Sequence, residues 1–90
     1  MRRRWMKQFE YNIKDKLGIH ARPAGLIVKE SAKFNSSITI QKEGKSADTK
    51  KLFALMGLGA KYDDNIILTF EGEDEDAAYE ALKQLIETNL

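Results

Sequence analysis

The spacing of apolar residues changes once near the start of the chain, and its only proline marks the place. Phe9, Tyr11 and Ile13 alternate with Gln8, Glu10 and Asn12, the period of two that a strand with one buried face requires. From Ala24 onward, Ile27, Val28, Ser31 and Phe34 recur at helical spacing, which predicts an amphipathic helix over residues 21–33. Pro23 has no N–H and would clash deep inside that helix, but its fixed φ suits the first turn. The helix must therefore begin close to His20, and Gly18 supplies the sharp turn out of the strand.

The remaining elements follow the same logic. Asn35-Ser36-Ser37 punctuates, Ile38 and Ile40 mark a second strand, and Gly44 sits in a turn leading to a short third strand near residues 46–48. Residues 51–57 read as a compact helix closed by Gly57 or Gly59. A fourth strand is expected over residues 65–70. A last helix is expected over residues 73–88, with Glu73, Asp74, Glu75 and Asp76 in its first turn at the positive end of the dipole. The order is β-α-β-β-α-β-α. One-sided alternation predicts an antiparallel or mixed sheet with helices packed on one side, the α+β class.

Composition sets the limits. Ninety residues, 42% hydrophobic and 32% charged, make one globular domain with one modest core. Zero cysteines and a single histidine exclude disulfides, thiolate chemistry, cysteine-based zinc or iron–sulfur sites and multi-histidine metal centres, so no metal and no cofactor is expected. A net charge of +1 gives no general reason for a nucleic-acid or anionic-membrane partner. No apolar run approaches the length of a membrane span, and a cytoplasmic location with no membrane insertion is the expectation. Residues 1–5 (Met1-Arg2-Arg3-Arg4-Trp5) carry no period, and Met6 would itself serve as a start. Two readings are open for them: a disordered leader or alternative start ahead of a domain over residues 6–90, or a contact made by three arginines with nucleic acid or membrane.

The chemistry gathers at the first strand-to-helix junction. If His20 is about the N-cap, the backbone N–H groups of Ala21 and Arg22 are unpaired and point out with the positive end of the macrodipole behind them, which is an anion site. Arg22 adds a guanidinium able to fork onto phosphate oxygens. An imidazole beside such a cradle is a nucleophile beside a place to hold a phosphoryl group. It attacks as a neutral base and leaves readily when an acceptor arrives. Residue types alone leave the alternative that His20 is an incidental residue at a helix start.

The heptapeptide Gly18-Ile19-His20-Ala21-Arg22-Pro23-Ala24 resembles the active-centre signature of the HPr family, the phosphocarriers of the bacterial phosphoenolpyruvate:sugar phosphotransferase system, and the similarity runs from about Met6 to the end of the chain. The resemblance implies an open-faced β-sandwich, a four-stranded antiparallel sheet with three helices on one face. It places His20 on the histidine phosphorylated at Nδ1 by enzyme I, Arg22 on the arginine that stabilises phosphohistidine, and Pro23 on the proline of the first helical turn. It implies a phosphoryl carrier rather than an enzyme, with sugar-specific IIA proteins as acceptors. A monomer is expected. An HPr-like module whose phosphorylation controls a protein partner is the alternative.

A docking surface is also expected. Leu26 lies one turn from Arg22, beside Lys29 and off the Ala24–Ile27–Ser31 face. In the second helix Leu55 and Leu58 suffice for the core, which leaves Leu52, Phe53 and Met56 for a contact patch or, alternatively, for burial. The resemblance favours the patch, because the corresponding helix borders the active histidine in the family. Two departures stand out. Lys51 occupies the position of the serine that an ATP-dependent kinase phosphorylates in HPr proteins of low-GC Gram-positive bacteria, so that kinase is not expected as a partner; near Arg22, Lys51 is either a contact for acidic partners or a solvated residue at the helix start. Gly25 stands where many members carry a larger residue, which loosens the first helix by roughly 1 kcal/mol relative to alanine.

Overall fold

Pairing across the sheet lines up the alternating residues in rows. A computed structural model describes residues 6–90; the leader reading of residues 1–5 lies outside the described residues. The strands are β1 (Lys7–Asn12), β2 (Ser37–Lys42), β3 (Lys45–Asp48) and β4 (Asn65–Glu71). They form one antiparallel sheet in the order β1-β4-β2-β3. Phe9, Leu68, Ile40 and Ala47 sit opposite one another across all four strands, and all are buried. The neighbouring row Glu10, Ile67, Gln41 and Ser46 points to the other face, where no helix among the described residues covers it. This is the α+β class and the four-stranded antiparallel arrangement expected.

Three helices close the covered face: α1 (Ala21–Ser31), α2 (Leu52–Gly57) and α3 (Glu75–Asn89). The helix α1 turns Ala24, Ile27 and Ser31 into the core, and α3 contributes Ala78, Leu82 and Ile86. Tyr79 of α3 meets Phe9 and Phe70 edge-on, with ring centroids 6.0 and 5.6 Å apart, and so fixes α3 against β1 and β4.

Several element boundaries differ from expectation by one or two residues. The first helix stops at Ser31 rather than residue 33, and a tighter turn takes over as the Lys33 and Phe34 amides donate three residues back, to the Glu30 and Ser31 carbonyls. Lys51 is the N-cap of α2 and not its first residue. Glu73 and Asp74 fall outside α3, because Asp74 is engaged elsewhere. Its carboxylate accepts from the Asn35 amide at 2.8 Å, the Ser36 amide at 2.9 Å and the Ser36 hydroxyl, pinning the turn before β2 to the start of α3.

Those bonds, that of the Ser36 hydroxyl foremost, hold the Asp74 carboxyl below the usual carboxylate range. A depressed native pKa means the unfolded chain takes up the proton first. The resulting stability is present above about pH 4 and lost as pH falls through the native value. Asp74→Asn should therefore lower the urea midpoint at neutral pH and flatten its decline on acidification. An unchanged acid slope would refute the assignment.

Ser31 is fully buried and its hydroxyl finds no partner among the described residues. An unmet hydroxyl in the core costs about 1–3 kcal/mol, and alanine is also the better helix former. Ser31→Ala is expected to stabilise the protein by about 1 kcal/mol, which raises Tm by about 4–8 °C in a domain of this size. A thermal melt decides it, and a fall in Tm would show that the hydroxyl is satisfied.

Candidate functional site

The segment between β1 and α1 is held by backbone contacts with distant parts of the chain. The Ile13 amide donates to the Asp64 carbonyl at 3.0 Å and the Asp63 amide donates back to Ile13 at 2.8 Å. The Lys14 and Asp15 amides donate to the carbonyl oxygen of Leu90. The Asp15 side chain accepts from the Leu17 amide at 2.7 Å, turning the chain toward Gly18. Gly18 adopts φ +69°, and a Cβ there would meet the Ala60 carbonyl oxygen and stand 2.6 Å from the Lys61 Cα. Ile19 drops into the core, with its amide donating to Ala60 at 3.0 Å. His20 follows directly.

His20 is the N-cap of α1, with φ −105° and ψ −170°. Its carbonyl accepts the Ala24 amide at 2.9 Å, the first bond of the helix. The imidazole is half-buried, does not cap the helix, and makes no hydrogen bond to a described residue. Proline at position 23 has no N–H, so the free donors of the first turn are the amides of Ala21 and Arg22, neither of which has an acceptor among the described residues. Arg22 is exposed and in no ion pair with a described residue, and the first turn carries no acidic side chain. The arrangement is a positively biased, uncrowded rim around one imidazole, suited to holding an anion at the ring. Among the described residues no group of three or more His, Cys, Asp or Glu is placed to hold a metal ion.

The expected docking residues lie on α1 and α2. Phe53 is 84% exposed, and Leu52 and Met56 are exposed, whereas Leu55 and Leu58 are buried. Lys29 and Lys51 are exposed; Leu26 is only half-exposed, because α1 packs against α2 and α3. Lys51 caps α2 through its backbone alone, its carbonyl accepting the Leu55 amide at 3.0 Å while its side chain makes no capping bond. A methyl at Gly25 would meet nothing within 4 Å, so packing does not require glycine there.

Sequence reasoning did not find the segment from α2 to β4. Its Ala60 and Lys61 backbone fixes the loop before His20, and it is braced by Lys42, whose Nζ reaches the Gly59 carbonyl at 3.0 Å and the Asp64 carboxylate at 3.1 Å. The Lys61 amide also donates to Asp64, which with Lys42 lowers the Asp64 pKa. No local pattern signals these contacts.

Known proteins resemble this chain in sequence and in fold. Residues 7–88 match the family described as the PTS HPr component phosphorylation site. The phosphocarrier protein HPr of Lysinibacillus sphaericus is 43% identical over 81 residues, covering 90% of this chain and 92% of that protein. An HPr structure from Thermoanaerobacter tengcongensis superposes with a TM-score of 0.86 at 40% identity, covering 91% of this chain and 92% of that one. Crh, the catabolite-repression protein of Bacillus subtilis, superposes with a TM-score of 0.74 at 32% identity, covering 89% and 92%.

Proposed function

Because the chain belongs to the HPr family of phosphocarriers, we propose that it serves sugar uptake, taking a phosphoryl group onto His20 from enzyme I and passing it to sugar-specific IIA proteins. The observation that carries this is the N-cap position of His20 beside two unpaired amides. The unprotonated imidazole nitrogen attacks the phosphorus of the phosphorylated donor, the new N–P bond forms as the donor's bond breaks, and the electron pair returns to the donor. The Ala21 and Arg22 amides and the Arg22 guanidinium take up the charge of the transferred group. In the acceptor complex the same steps run with His20 as the leaving group. Acid–base and metal chemistry reside in the partners, which makes this protein a carrier and not a catalyst. It works as a cytoplasmic monomer, and among the described residues no helix is long and apolar enough to cross a membrane.

Two tests apply. With phosphoenolpyruvate and the enzyme I of the same organism, intact mass should show one acid-labile phosphoryl group that His20→Ala lacks entirely; no adduct on the parent protein would overturn the reading. With ATP and an HPr serine kinase, residue 51 should stay unmodified, because a lysine amine is no substitute for the serine hydroxyl. The likeness to Crh favours a second reading, in which phosphorylation at His20 governs a regulator. Transfer of the phosphoryl group to IIA proteins separates the two.

A further inference from the structure

Beyond the α2 patch, and apart from Met6 ahead of β1, two large apolar side chains are open to water. Leu17 is 71% exposed and Tyr62 58% exposed. They stand on different loops, but those loops are joined: Gly18, next to Leu17, packs on the backbone of Ala60 and Lys61, next to Tyr62, and the Ile19 amide bonds to Ala60. Bonds between Ile13 and the Asp63–Asp64 backbone close the far end of the pair, and Lys42 braces it from β2. These contacts tie the two loops together, and His20 follows them directly in the chain. Lys16 and Lys61, next to Leu17 and Tyr62, are exposed and in no ion pair with a described residue, and with Lys14 and Arg22 they outnumber the acidic residues of the same loops, half-buried Asp15 and exposed Asp63.

We infer that Leu17 and Tyr62 form a second apolar anchor for the phosphoryl donor, enzyme I, which would bring to it an apolar pocket rimmed by carboxylates. This rests on the carrier reading above. Two large apolar side chains in a net basic rim have the composition of an interface core and its surround. The charge argument selects the donor over the acceptors. The donor meets His20 before phosphorylation, when the lysines and Arg22 around it outnumber the Asp15 and Asp63 carboxylates. The acceptors meet it carrying the added negative charge of the phosphoryl group. The α2 patch and this platform would then give the donor two separated points of contact, which orients the incoming phosphoryl group as one patch cannot.

The test measures enzyme I-dependent phosphorylation of the full chain and of Leu17→Ala/Tyr62→Ala, with thermal melts of both. The double substitution is expected to leave Tm unchanged, raise the KM for the carrier at least about tenfold by removing two buried anchors, and leave kcat alone. Tyr62→Phe should restore most of the affinity, since the ring is the anchor. An unchanged KM in a folded, phosphorylated variant would overturn the anchor, as would a KM rise confined to transfer from phosphorylated carrier to a IIA protein. If the parent protein itself took no phosphoryl group from enzyme I, the carrier reading would fall and this inference with it. That result is distinct from a parent that is phosphorylated and a variant that behaves identically.

Discussion

Gly18→Ala is expected to destabilise the protein by about 3 kcal/mol and to lower Tm by about 12–24 °C. Two causes add. The left-handed backbone at φ +69° costs an ordinary residue about 1–2 kcal/mol. The new methyl group would also run into the Ala60 carbonyl and the Lys61 Cα, which are backbone and cannot swing aside. Relief requires the two loops to part, which stretches the Ile19 to Ala60 hydrogen bond and displaces His20. The same substitution should therefore slow phosphoryl transfer in the fraction that remains folded. Gly44→Ala is the control: φ there is +84°, yet a Cβ would meet nothing within 4 Å. It should lose only the backbone part, about 1–2 kcal/mol, and leave transfer intact. Equal losses at the two positions in urea denaturation would show that the close approach at Gly18 contributes nothing.

Arg22→Glu should reduce the rate of phosphoryl transfer by at least about a hundredfold, the usual scale for losing a charge-stabilising donor at a transferring group. Stability should move the other way. Arg22 lies in the first turn of α1, where a cation opposes the dipole, and no acidic residue there offsets it. Glutamate suits that position and should add about 0.3–1 kcal/mol. Opposite signs in the two measurements separate a functional role from damage to the helix. A transfer rate within a factor of about three of the parent protein would sink the role assigned to the guanidinium, and a joint fall in rate and Tm would point to misfolding instead. Arg22→Lys should lie between, because an ammonium keeps the charge and loses the planar fork.

How much of this was legible before the structure depends on the range over which each signal acts. The alternation at Phe9, Tyr11 and Ile13, the helical spacing from Ala24 to Ser31 and the position of Pro23 are local, and the elements they predict are present to within a few residues. The start of α1 was the firmest of these. A proline in the first turn leaves only the residues just ahead of it to act as cap, and His20 is the cap. The end of α1 and the start of α3 were less legible. Four acidic residues in a row suit a helix N-terminus at several registers, and Asp74 was drawn out of the helix by amides of Asn35 and Ser36, far away in the chain.

The side chains open to partners divide in the same way. Helical spacing assigned Leu55 and Leu58 to the core and left Leu52, Phe53 and Met56 outside, as the structure has them. Leu17 and Tyr62 lie in loops, where no period tells inside from outside, and their exposure follows from how two loops pack together.

The sequence by itself determined the element order, the one-sided sheet and the placement of His20 at a helix start with Arg22 beside it. Each depends on side-chain periodicity or on the covalent geometry of one proline, which act over a few residues. Only the tertiary structure decided the strand order β1-β4-β2-β3, the seating of the His20 loop on Ala60 and Lys61, and the capture of Asp74. Those are contacts between groups far apart in the chain, and no local spacing encodes which of them will meet.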